Sequence, residues 1–305
     1  MAGDSSGGDV FVVGSLNLDL VATADRLPAP GETVSGSSYA EHPGGKGLNQ
    51  AIAAARAGAA TQMLGAVGDD EAGRRLLDNA RSAGVDTSSI AVIAGIPTGR
   101  ALITVDASGE NCIVVVPGAN GLVSPADTAP SLSAQVPASG RPVLLTQLEI
   151  PIGTVVAALE DARRADVFTM LDPAPAADLP ASALEVIDLI APNEHEVELL
   201  GGVDRLLDAG VGAVLITLGG DGAELHRADE PLVRQRAFDV DVVDTTGAGD
   251  AFRGAFAARV AAGSSFEEAL PFAAAAGALA TTVAGAVPSL PMRTATDALL
   301  DLNAD

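Results

Sequence analysis

Short runs of β-branched and aliphatic residues recur at 11–14, 143–145, 167–171, 186–190 and 214–218. Continuous apolar runs of this length predict strands buried on both faces. Between them lie Ala-rich stretches with helical spacing at 48–57, 72–83, 152–162 and 203–209. Strand and helix alternate, which predicts an α/β fold with a mostly parallel sheet and helices on both faces. In the last third, a Gly turn at 246–249 leads into helical stretches at 251–261 and 266–283 that should cover the functional end of the sheet.

Two segments break the alternation. Residues 19–38 are interrupted by PAPGE, and at 99–116 the runs ALITV and NCIVVV flank DASGEN. The second predicts a β-hairpin outside the main sheet, placed to act as a flap over a ligand. Residues 122–141, rich in Pro, Ser and Ala, predict a surface loop with a short helix. No internal repeat is visible, and 305 residues suit one elaborated domain.

Composition narrows the function. Forty acidic against 17 basic residues give a net charge of −23, which repels a nucleic-acid backbone. No apolar run reaches the roughly 20 residues a bilayer span needs, and the first ten residues lack a secretion signal, so a cytoplasmic protein with no membrane partner is expected. Cys112 is the only cysteine, so no intramolecular disulfide can form. The three histidines are scattered without metal-ligand spacing. Lys46 is the only lysine beside 16 arginines, so a composition that replaces lysine elsewhere keeps it at that one position.

The strongest chemical signal is VVDTTGAGDAFRG at 242–254, a strand-like stretch entering a Gly turn and then a helix. Free amides at a helix start bind anions, and Gly247, Ala248 and Gly249 let a phosphate approach the backbone. A carboxylate there, Asp250, suits a base that takes a proton from an attacking alcohol while the amides neutralise a transferring phosphoryl group. An aspartate favoured by the helix dipole is the simpler structural alternative. HPGGKGLNQ at 42–50 is a second Gly turn before a helix, with an amide at Asn49 able to bond hydroxyls. GSLNLD at 14–19 sets Asn17 and Asp19 two residues apart, on one side of extended backbone.

GAGDAF resembles the C-terminal signature of the ribokinase-like (PfkB) carbohydrate kinases, and GGKGLNQ resembles their N-terminal one. Five motifs stand in the family's order between residues 10 and 291. The resemblance implies a three-layer fold with a small β-sheet lid from about 17–42 and 97–116, set on a single domain spanning residues 1–305. It implies ATP-dependent phosphorylation of D-ribose at its 5-hydroxyl, with a kinase of another sugar or nucleoside, or a silent sugar or nucleotide sensor, as alternatives. It assigns the sugar to Asn17, Asp19, Gly45, Lys46, Asn49, Glu149 and Asp250. Asn193 in PNEHE and Thr217, Gly219 and Gly222 in TLGGDG, with Gly249, match nucleotide contacts. Glu196 matches a residue that organises Mg²⁺ through water. Asp244, Thr246, Ala280, Val283, Gly285 and Ser289 match oxygens around an activating K⁺, and a homodimer through the lid strands is implied as well. Two departures stand out. The segment between Glu196 and Thr217 is short, with room for only a stub of helix, and Ala274 occupies a place near the nucleotide where a polar residue is common.

Overall fold

A computed structural model describes residues 8–127 and 141–303. Nine strands form the main sheet: β1 (Asp9–Val13), β4 (Ala60–Gly68), β5 (Asp86–Ile93), β8 (Val143–Thr146), β9 (Phe168–Leu171), β10 (Leu189–Ile190), β11 (Val214–Thr217), β12 (Ala223–His226) and β13 (Val233–Gln235). Their spatial order is β13-β12-β11-β10-β9-β8-β1-β4-β5. All pairings are parallel except those of β12 with β11 and β13. A second sheet, in the order β3-β2-β6-β7, is built from β2 (Asn17–Ala24), β3 (Gly36–Gly44), β6 (Gly99–Val105) and β7 (Asn111–Val116).

Alternation within the strands builds the layers. Val10 and Val12 of β1 face one cluster with Leu48, Leu76 and Phe256, whereas Phe11 and Val13 face another with Val155, Leu159 and Leu206. Helices α1 (Lys46–Arg56), α2 (Glu71–Ser82), α7 (Ala248–Ala261) and α8 (Phe266–Ala280) contribute to the first cluster. Helices α3 (Ile152–Arg164), α4 (Ala181–Leu184), α5 (Glu194–Leu199) and α6 (Val203–Asp208) contribute to the second. Two further helices, α9 (Ala286–Ser289) and α10 (Arg293–Leu302), end the described chain.

The hairpin expected at 99–116 is β6–β7, with Arg100 opposite Val116 and Val105 opposite Asn111. The strand expected at 186–190 shrinks to Leu189–Ile190, because Glu185, Val186 and Ile187 close the turn after α4 through their own amides. The helix expected to reach 283 ends at Ala280, where Thr281 and Thr282 turn their hydroxyls back onto Ala278 and Leu279. Strands β4, β5, β12 and β13 have no counterpart in the apolar runs. Thr61, Gln62 and Gly65 interrupt β4, and the other three lie at or near sheet edges with polar residues on an open face. The loop and short helix expected at 122–141 fall largely outside the described residues.

Chain progression reverses at β1, which pairs with β8 on one side and β4 on the other. Loops at the carboxyl ends of strands beside such a reversal diverge and leave a crevice. Ser15 follows β1, Gln147 follows β8 and Asp172 follows β9, so the topology gathers polar residues at this end.

Candidate active site

Asp250 lies in the first turn of α7, which starts at Gly247. Gly247 has φ +80, a left-handed conformation that side chains resist, and an added Cβ would stand 3.0 Å from Ala286 Cα. At Gly254 the issue is space: a Cβ would come within 2.5 Å of Ala53 Cβ and 2.6 Å of Gln50 O. Helix α7 therefore crosses α1 at backbone contact, which brings Asp250 against α1. Asn49 Nδ2 donates to Asp250 Oδ2 at 2.9 Å, and Gln50 Nε2 donates to Oδ1 at 2.9 Å. Gln50 also donates to Asp172 Oδ2 at 2.7 Å and accepts from Gln147 Nε2 at 2.6 Å, which fixes the amide's orientation. Asp250 is 7% exposed.

On one side of Asp250 the crevice is polar. Asn17 is buried, and its Oδ1 accepts from Asn120 Nδ2 at 2.8 Å. Asn120 is itself fixed by Leu16, whose amide donates to its Oδ1 at 2.9 Å. Glu149 accepts from the Ser15 hydroxyl and from the Lys46 amide. Burial, reinforced by the charges of Glu149 and Asp250, pushes the Asp19 carboxyl up to about 7. Burial would lower the Lys46 ammonium, but Asp172, Asp250 and Glu149 outweigh it and its pKa is raised. Asn49 Oδ1 is buried with no hydrogen-bond partner, and a hydroxyl donor from a ligand would satisfy it. Gly45 joins β3 to α1, and a Cβ added there would stand 2.8 Å from Asn17 N. These contacts bring Asn17, Asp19, Gly45, Lys46, Asn49, Glu149 and Asp250 near one another.

On the other side lies an apolar cavity of about 240 Å³. Thr217, Gly219, Gly222, Phe252, Ala274 and Gly277 are among its walls, and Ala248 and Gly249 close the end nearest Asp250. A slot of this character suits the flat face of a base, with the start of α7 at its mouth for the attached phosphates; there Ala248 N donates to Thr245 O, and Gly249 N makes no backbone hydrogen bond among the described residues. Asn193 sits next to Thr217 through an isolated parallel bridge and caps α5. Its side chain accepts from the Glu196 amide, and Glu196 Oε2 accepts from the Asn193 amide, each at 2.8 Å. The spacing of Asn193 and Glu196 therefore has a structural cause, a capping box, that leaves Glu196 Oε1 without a hydrogen bond among the described residues.

The two segments expected around a cation are joined by Asp244. Asp244 Oδ2 accepts from Gly285 N at 2.8 Å, and its Oδ1 accepts from Thr246 N at 2.9 Å and Oγ1 at 2.7 Å. Burial raises the Asp244 carboxyl, but these bonds prevail and its pKa is lowered. Ser289 is buried with its hydroxyl on Ala286 O, Ala280 is buried and Val283 is exposed.

Ser15, Gln50, Asn120, Gln147, Asp172 and Arg253 belong to the site although none was assigned a role from sequence. Their signal was a polar or charged residue at a strand end or inside an Ala-rich helix, as in TQLE, MLDP and AFRGAF. Asp172 is completely buried; burial raises its carboxyl, against the opposing charges of Arg253 and Lys46.

The chain is similar to known proteins over most of its length. The ribokinase of Bacillus subtilis is 39% identical over 295 residues, covering 96% of this chain and 99% of its own. A bifunctional ribokinase/ribose-5-phosphate isomerase A of Fructilactobacillus sanfranciscensis is 37% identical over 300 residues; the match takes in 94% of this chain but 55% of that longer protein. The structure of Arabidopsis thaliana ribokinase complexed with ribose and ATP superposes with a TM-score of 0.84 at 32% identity, covering 96% of this chain and 99% of that one. Residues 8–293 match the pfkB family carbohydrate kinases, and the chain belongs to that family.

Proposed function

We propose that the protein transfers the γ-phosphoryl group of ATP to the 5-hydroxyl of D-ribose, giving ribose 5-phosphate and ADP. The observation that carries this is the place of Asp250, fixed by Asn49 and Gln50 next to an apolar slot whose walls include Ala248 and Gly249. Several relatives at 37–39% identity are ribokinases, one of them bifunctional, and one related structure holds ribose with ATP.

In this mechanism Asn17, Asp19, Asn49 and Glu149 bond the sugar hydroxyls and present the primary one to Asp250. Both carboxylate oxygens of Asp250 accept from amides, which holds the carboxylate in place to receive the hydroxyl proton. The alkoxide attacks the γ-phosphorus in line, while the 247–249 turn stabilises negative charge on the phosphoryl oxygens. Lys46 adds positive charge at the same end. Asn193, Thr217, Gly219, Gly222 and Gly249 would hold the nucleotide. Mg²⁺, which would neutralise phosphate charge, fits Glu196 through water because Oε1 is not engaged by the capping box. K⁺ fits the loop that Asp244 draws together from Thr246 and the 280–289 tail, where it would stiffen the turn that forms the anion site.

The small sheet would act as a lid on the single domain, closing on the sugar and excluding water so that ATP is not hydrolysed. Strand β7 is exposed along its length, including Ile113, Val114, Val115 and Val116, and lies at the sheet's edge. An apolar edge strand of this kind is a natural pairing surface, which supports a homodimer through the lids. No helix among the described residues is long and apolar enough to cross a membrane, and with the lone cysteine a cytoplasmic site of action is proposed. The net charge argues against a nucleic-acid partner.

ADP release from MgATP with K⁺ present, measured with ribose, deoxyribose, fructose, adenosine and no sugar, tests the assignment. Ribose-selective turnover is expected. Selectivity for another acceptor would change the substrate, and binding of sugar and ATP without turnover on any acceptor would make the protein a sensor.

A further inference from the structure

The helix that carries Asp250 also carries a buried arginine for which the mechanism above has no use. Arg253 is 4% exposed and lies three residues beyond Asp250, on the same face of α7. Its Nε donates to Ala191 O at 2.8 Å and stands 3.2 Å from Asp172 Oδ1. Nη2 is 3.7 Å from Glu196 Oε2. Nη1 lies beneath the anion-binding turn, where a Cβ added to Gly249 would come within 2.5 Å of it.

A guanidinium presents five N–H donors in a rigid plane. Only Nε is engaged here; neither Nη1 nor Nη2 makes a hydrogen bond among the described residues. Burial of such a group is unfavourable unless its charge and its donors are met. Asp172 answers the charge, with Glu196 and Asp250 as the other acidic neighbours and Lys46 as a basic one. The four remaining donors lie on Nη1, next to Gly249, and on Nη2, toward Glu196.

We infer that Arg253 is a catalytic residue whose Nη1 and Nη2 hold non-bridging oxygens of the γ-phosphoryl group as it transfers, with Asp172 and Ala191 O fixing the plane of the guanidinium. The inference rests on the kinase mechanism above. The sugar oxygen forms its bond to γ-phosphorus while the bond to the β–γ bridging oxygen breaks and ADP departs with that electron pair. The hydroxyl proton goes to Asp250. Arg253 exchanges no proton; its charge matches the negative charge that spreads over the phosphoryl oxygens. A planar fork beside the 247–249 turn would also hold the phosphoryl group in one orientation.

The test uses D172N/R253Q, which removes both buried charges together so that neither is stranded, beside the intact protein. Thermal unfolding, turnover with ribose and MgATP, ribose affinity, and affinity for ADP with and without aluminium fluoride, a mimic of the transferring phosphoryl group, are compared. The expected result is a retained fold, ribose affinity within about threefold, and a kcat lower by about 10²- to 10³-fold. The preference for ADP with aluminium fluoride over ADP alone falls in parallel. A kcat within about threefold of the intact protein, or a lower kcat with that preference unchanged, overturns the inference. Should the double variant not fold, R253K, which keeps the charge and loses the fork, is judged by the same readouts. Absence of turnover in the intact protein would instead count against the kinase mechanism itself.

Discussion

Asn49 and Asp250, 201 residues apart in sequence, meet through a 2.9 Å bond from Nδ2 to Oδ2. That contact ties the Gly turn before α1 to the Gly turn before α7, and so ties the sugar side of the crevice to the phosphate side. It exists because the two helices cross with almost no side chain between them.

Substituting the residue at that crossing should disturb both sides at once. In G254A the new methyl would meet Ala53 Cβ at 2.5 Å and Gln50 O at 2.6 Å, well inside van der Waals contact. Overpacking of this kind is destabilising by about 1–3 kcal/mol, which exceeds the roughly 1 kcal/mol that Ala gains over Gly in a helix. A lower Tm together with a lower kcat is expected from thermal unfolding and steady-state rates. A raised Tm would show that the helices have room to spare.

Ribose affinity should depend on pH through Asp19. Its carboxyl titrates at about 7, raised by burial and then by the Glu149 and Asp250 charges. The anion accepts hydroxyl protons better than the acid, so affinity should rise between pH 6 and pH 8 and become flat in D19N. The stability contribution has the opposite sign. The native state holds this proton more tightly than the unfolded chain, so the contribution is fully present below the ordinary carboxylate pKa and is lost as pH rises through about 7. Calorimetric titration with ribose at several pH values checks the first effect, and unfolding of the intact protein and D19N over the same range checks the second.

Glu196 can be tested without disturbing its helix, because glutamine also completes a capping box. E196Q should therefore keep its Tm while the Mg²⁺ concentration for half-maximal activity rises by about tenfold, as for other residues that hold a metal through its surroundings. An unchanged Mg²⁺ dependence would leave Glu196 with its capping role alone.

Ala274 lines the apolar cavity at 6% exposure. A274L would fill part of the 240 Å³ that the slot offers. KM for ATP should rise by about tenfold or more while ribose affinity holds, since each buried methylene in such a pocket counts for about 1 kcal/mol. Equal losses toward both substrates would place Ala274 in the packing rather than at the nucleotide.

Sequence patterns made the central strands visible because β1, β8, β9 and β11 are largely buried and read as mostly apolar runs, with Thr169 the polar residue inside β9. Strand β4 was hidden because Thr61, Gln62 and Gly65 lie within it, and β5, β12 and β13 because strands at or next to the sheet edges carry polar residues. In the site, motifs flanked by glycine located Asp250, Asn49 and Asn17. The residues that orient them are different. Gln50, Gln147 and Asp172 act only through partners about 100 or more residues away, and a bond from Gln50 to Asp172 leaves no trace in local spacing. Arg253 could be noticed as a charge within an Ala-rich helix, but its counter-charge comes from β9's end and its neighbour Glu196 from α5.

Turnover of D250N under saturating ribose and ATP tests the central claim most directly. Asparagine keeps the shape of the side chain and an oxygen for one of the two amide donors, so fold and substrate affinities should be close to those of the intact protein. Loss of the base should lower kcat by about two or more orders of magnitude. A kcat equal to that of the intact protein would contradict the assignment of Asp250 as the group that activates the sugar hydroxyl.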